Sequence, residues 1–168
     1  MTLKAKIRQD LSEVVKKRDE LKTSVLRLLL ASLLNKEKEK RYKIYKVDTS
    51  VTEKDLNERS QLTDEEVLDT ISSEIKKRKE AALEFEKGKR QELADKEKKE
   101  MEILKTYLPE QMSDEEIRKL VQETIYNIGA KTQKDIGKVM SELMPRVKGK
   151  ADASLIIATV KELLFEDR

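Results

Sequence analysis

Near the C-terminal end, Lys148-Gly149-Lys150 sets two ammonium groups on either side of a glycine, and Lys138 and Arg146 lie close by in the chain. Cations beside a turn, with backbone N–H groups assisting, are suited to holding phosphate. The surrounding stretch, from Gly129 to Ile156, is unlike the rest. It contains Gly129, Gly137 and Gly149, three of the four glycines, and Pro145, one of the two prolines. Its cations Lys131, Lys134, Lys138, Arg146, Lys148 and Lys150 outnumber Asp135, Glu142 and Asp152. Two readings stand. The lysines meet phosphates, or Gly149 is only a turn and the lysines are solvated. Gly137 falls inside a predicted short helix, where glycine costs about 1 kcal/mol against alanine. It is therefore expected to mark close helix packing or close approach of a ligand.

Two further segments compete. In Lys36 to Lys46, Tyr42 and Tyr45 are interleaved with basic residues, a pattern that binds RNA by charge and stacking or extends a helix whose tyrosines pack on a neighbour. In Ile75-Lys76-Lys77-Arg78-Lys79 the flanking Glu74 and Glu80 reduce the charge, and a solvated face is the expectation. The carboxylates, including Glu97 and Glu100, are likewise expected on solvated helix faces.

Much other chemistry lacks its residues, and nothing in the sequence points to the lysine or carboxylate catalysis that stays open. With no histidine and no cysteine, His-based acid–base catalysis, Ser–His–Asp triads, thiol nucleophiles and His or Cys metal sites all go. No Walker loop or G-x-G-x-x-G occurs. No catalytic residue, metal site or cofactor is assigned.

The elements that must position these residues are helical. The first is expected from Leu3 to Lys17, and Asp19 caps a second that carries the most apolar stripe and continues to Lys46. Val47 to Leu62 reads as a connection. Thr63-Asp64-Glu65-Glu66 is a capping box opening a long helix that stops at Gly88. A fourth runs from Arg90 to Leu108 with Leu93, Met101 and Leu104 along it, and Pro109 marks the boundary. The domains are therefore 1–108, an N-terminal helical lobe of about four helices, and 109–168, a three-helix lobe. In the second lobe, Ser113 to Glu116 is another capping box, and a helix stops at Gly129. Thr132 caps a short helix ending before Pro145, and Asp152 caps the last. No alternating strand pattern is present, so the fold class is all-α and multihelical.

Composition agrees. Charged residues make up 42% and aromatics 4%, and mean hydropathy is −0.73. Periodic apolar residues in so polar a chain mean long helices with thin buried stripes rather than disorder. The net charge of +3 is too small to decide for nucleic acid. The longest apolar run, Val25 to Leu34, is too short to span a membrane. With no secretory pattern at the start, a soluble, cytoplasmic protein is expected.

Three segments together resemble the YqeY family: SVLRLLLASLLNKEKEKR, then EIKKRKEAALEFEKGKRQELADKEKKEMEILKTYLPEQMSDEEI, then GAKTQKDIGKVMSELMPRVKGKADASLI. Tyr107-Leu108-Pro109-Glu110-Gln111, Gly137-Lys138-Val139-Met140 and Lys148-Gly149-Lys150-Ala151-Asp152 carry it, in that order. Val47 to Gln61 fits the pattern less well. The resemblance implies an all-helical fold whose C-terminal lobe is similar to the GatB tail of the glutamyl/aspartyl-tRNA amidotransferase, which helps hold tRNA while other domains catalyse. By position it implies Gly137, Lys138, Lys148, Gly149 and Lys150, with Arg146 beside them, as nucleic-acid-binding residues, and Val139 and Met140 as core. Three functions follow as expectations: a non-catalytic accessory module for tRNA or other RNA; a protein-interaction module on a tRNA-charging or amidotransferase complex; and a carbon–nitrogen ligase with glutamine as amide donor, which rests on the family label alone.

Overall fold

Side-chain caps start most of the helices. Thr2, Asp19, Thr52, Thr63 and Ser113 each accept a hydrogen bond from a backbone N–H one turn on, satisfying a donor that the helix cannot. The computed structural model describes residues 1–165. The helices are α1 (Leu3–Lys16), α2 (Glu20–Val47), α3 (Glu53–Arg59), α4 (Asp64–Lys87), α5 (Gln91–Lys105), α6 (Asp114–Ile128), α7 (Ile136–Val147) and α8 (Ala153–Phe165), with a 3-10 turn at Gln133–Asp135 before α7. Among the described residues there is no strand. The fold is all-α, and no helix is long and apolar enough to cross a membrane.

Two units divide the chain, Met1–Tyr107 and Leu108–Arg168. In the first, Ile7, Val25, Leu26, Leu29, Leu33, Val67, Ile71 and Leu104 form the buried core. The connection expected at Val47 to Leu62 instead contains α3. Thr52 caps it, the Thr52 hydroxyl also donates to Asp55, and Leu56 is buried. One buried leucine and one cap outweigh the weak propensity of the flanking β-branched residues.

α4 and α5 form an antiparallel hairpin with the most extensive packing in the unit. Ala82 and Ala94 are both buried, while Leu93, expected on the apolar stripe, is 41% exposed. Small side chains let two helices approach closely, and that proximity selects the alanine over its larger neighbour. Gly88 ends α4 as expected, but its φ is −78° and Lys89 takes the left-handed conformation at φ 55°.

A solvated face was expected around Ile75 to Lys79, and that reading fails at Arg78. Arg78, Glu74 and Glu100 are all buried. Arg78 Nη1 donates to Glu74 Oε2 at 2.9 Å and its Nε donates to Glu100 Oε2 at 3.2 Å. Glu74 Oε1 also accepts from Lys77 Nζ at 2.8 Å and Ser32 Oγ at 3.2 Å. The cluster ties α2, α4 and α5 together. Other charges on α2 also pair across helices rather than along α2: Glu37 accepts from Lys4 of α1, and Arg41 donates to Glu53 and Asn57 of α3.

Several carboxylates are held more acidic than usual. Burial pushes Glu74 upward, but hydrogen bonds from Lys77 and Arg78 outweigh it and its pKa falls. At Glu66 burial is likewise outweighed, by Lys40 and the Thr63 N–H. The Ser113 N–H and hydroxyl lower Glu116. A depressed folded pKa stabilises the fold above the unfolded value, and that stability is lost as pH falls through the folded value. The urea midpoint should therefore stay level from about pH 6 to 9, since no histidine titrates there. It should fall once pH drops below 4.5, the ordinary glutamate value. A midpoint measured against pH checks both parts.

Candidate nucleic-acid interface

The second unit is built on an amphipathic helix trio. Ile117 and Val121 of α6, Val139, Leu143 and Val147 of α7, and Ile156, Val160 and Leu164 of α8 form its core, with Met140 packed against it. α6 opens with the Ser113–Glu116 capping box and ends at Gly129, whose φ of 69° is the left-handed cap that glycine permits. The short helix expected to end before Pro145 runs through it to Val147. Proline removes the N–H that would bond the Ser141 carbonyl. Both residues are exposed and lie in the last turns, so water meets the freed carbonyl.

Lys148-Gly149-Lys150 forms a type II turn. Lys148 has φ −56° and ψ 122°, Gly149 has φ 72°, and the Lys150 N–H donates to the Val147 carbonyl at 2.8 Å. That turn requires a positive φ at its third residue, which is why glycine stands there. The strap before α6 pins the turn. Gln111 Nε2 donates to the Gly149 carbonyl at 2.7 Å, and the Met112 N–H donates to the Lys150 carbonyl at 2.8 Å. Sequence reasoning missed Gln111 and Met112 as positioning residues. Their signal was the pairing of two family-like motifs that only folding brings together.

Lys148, Gly149 and Lys150 cluster at the C-terminal end of α7, with Arg146 exposed just before them. Lys138 lies ten positions before Lys148, about 15 Å along the helix axis, and belongs with Lys131 and Lys134 at the opposite end. Its side chain is 74% exposed and sits 4.0 Å from Asp135 Oδ1. Asp135 is held more acidic than usual by the Lys131 N–H, then by the Thr132 N–H and hydroxyl. The candidates thus fall in two groups, one at each end of α7, and not in one pocket.

Two expectations need correction. Backbone N–H groups were expected to assist at the Lys148–Lys150 turn. Those of Lys150 and Ala151 instead donate back to the Val147 carbonyl, and the Asp152 carboxylate accepts from the Ser154 N–H at the start of α8. The N–H groups of Lys150 and Ala151 are therefore already used within the turn. Gly137 was expected to mark close helix packing or close approach of a ligand, and the packing half fails: it is exposed, and a Cβ there would meet nothing within 4 Å. Alanine at Gly137 should accordingly stabilise the unit by about 0.5–1 kcal/mol. Valine at Gly149 should cost about 1–2 kcal/mol, because an L side chain strains the left-handed conformation. Urea denaturation of the two variants checks the opposite signs.

Tyr42 and Tyr45 are 66% and 48% exposed on α2, so neither ring is buried against a neighbour.

Fold and surface together define an all-helical protein whose second unit presents a pinned glycine turn between lysines at the C-terminal end of α7. The family model described as "Yqey-like protein" matches residues 33–164, and the chain belongs to that family. The chain is also similar to "Uncharacterized protein C22F3.15" of Schizosaccharomyces pombe, at 42% identity over 52 residues. That stretch is 31% of this chain and 42% of the yeast protein, so the match spans less than half of that relative.

Proposed function

We propose that the protein is a non-catalytic accessory module that holds RNA, with tRNA the leading candidate, through the basic residues at the two ends of α7, which in this reading act as one strip. The observation that carries this reading is the turn at Lys148–Lys150, fixed by Gln111 and Met112 so that two cations flank a rigid backbone. Cations carried on a fixed turn suit a phosphate backbone, and phosphate contacts supply most sequence-independent affinity. In this reading any amide-transfer chemistry belongs to partner proteins, in keeping with the similarity to the amidotransferase tail. A filter-binding titration of the full chain against tRNA tests it. Binding that weakens steeply with salt is expected, and no binding at low salt overturns it.

A specific observation favours a second reading. Tyr126 is 86% exposed, and Leu155 and Ile157 also reach the surface of the same unit. With a net charge of only +3 and long charged helices, such a surface suits a protein partner in a tRNA-charging complex. A pull-down that recovers such a partner after nuclease treatment supports this, and recovery lost with nuclease argues against it.

A further inference from the structure

The first unit holds a cleft of about 410 Å³ walled by α1, α2 and the α3–α4 connection. That volume lies in the range of small-ligand sites. Four cations line it, Lys4, Arg8, Lys38 and Arg41, against one carboxylate, Glu37. Two of them are already occupied. Lys4 donates to Glu37, and Arg41 donates to Glu53 Oε1 at 2.6 Å and to Asn57 Oδ1. Arg8 and Lys38 form no ion pair among the described residues. Unneutralised cations in a concave wall focus a positive potential there, which draws an anion.

Next to the cleft stands an aromatic platform. Lys38 and Tyr42 are four residues apart on α2 and therefore share a face one turn apart. Tyr45 follows on the same side and Leu34 lines the cleft below. Tyr42 is mostly exposed although a tyrosine ring readily packs when a neighbour is available. Charge for a phosphate and an open ring for a base, one helical turn apart, are the two parts of a single-strand nucleotide site.

We propose that this cleft is a second RNA site that takes one nucleotide of a single strand, with its phosphate between Arg8 and Lys38 and its base on Tyr42. It lies in the first unit and does not depend on the lysine turn of the second.

A single-stranded oligonucleotide carrying 4-thiouridine, photo-crosslinked to the full chain and mapped by mass spectrometry, tests the proposal. Crosslinks are expected within residues 34–45, and they should persist in the combined Lys138→Ala, Lys148→Ala, Lys150→Ala variant. Persistence there separates this site from the second-unit strip. Combined Arg8→Ala and Lys38→Ala should remove the crosslinks. Both side chains are exposed, so the fold should survive, with far-UV circular dichroism as the control. Tyr42→Ala should weaken oligonucleotide binding at this site roughly 5- to 100-fold, and Tyr42→Phe should restore it. Crosslinks only outside residues 34–45 overturn the proposal. So does an unchanged affinity in Tyr42→Ala with full competition by inorganic phosphate, which would make the cleft a bare phosphate site.

Discussion

Arg78→Ala should destabilise the first unit by about 3–5 kcal/mol, the usual effect of removing one partner from a buried ion cluster. The size follows from what is left behind. Glu74 and Glu100 would remain buried with their shared guanidinium gone, and Glu74 would keep only the Ser32 hydroxyl and Lys77, whose side chain is largely exposed. Arg78 also donates to the Glu74 carbonyl at 3.2 Å, so a helix carbonyl loses its second partner. Arg78→Lys keeps the charge but loses the fork that reaches two carboxylates on different helices, and should recover only part of the stability. The combined Arg78→Met, Glu74→Gln, Glu100→Gln variant should be more stable than Arg78→Ala, because no unpaired charge stays buried. Urea denaturation followed by circular dichroism orders the three.

Combined Lys138→Ala, Lys148→Ala and Lys150→Ala should weaken tRNA binding by roughly 10- to 100-fold at low salt. It should also make the log–log salt dependence shallower by about one unit of slope for every phosphate that is no longer neutralised. The three side chains lie at the two ends of α7, so their removal takes cations from both. Lys79, Lys96 and Lys99 are exposed on α4 and α5 and form no ion pair among the described residues. Changing those three to alanine alters the net charge equally, and tRNA affinity should change far less. Filter binding of the two triple variants therefore separates location from charge.

Local signals were the most legible part of the chain. Asp19, Thr63 and Ser113 cap the helices they were expected to cap, and Gly129 is a left-handed stop. These effects act within one turn, so nearby residues suffice to foresee them. What sequence reading missed depends on distant neighbours. Arg78 reads as one more surface cation until α5 brings Glu100 beside it. Ala94 is chosen over Leu93 by the closeness of α4. Pro145 ends a helix by the local rule, yet sits where the lost bond is exposed to water. Gly137 shows the limit from the other side: a glycine inside a helix invites a packing explanation, and its surroundings hold none. The lysine turn was legible as a turn, but the hydrogen bonds from Gln111 and Met112 that fix it join residues nearly forty positions apart.

A pulse of lysine acetylation on the full chain, with and without tRNA and mapped by mass spectrometry, tests the central claim most directly. The account predicts protection by tRNA at Lys138, Lys148 and Lys150, with Lys96 and Lys99 reacting as in the free protein. Unchanged reactivity at the first three, while tRNA is bound, would contradict it.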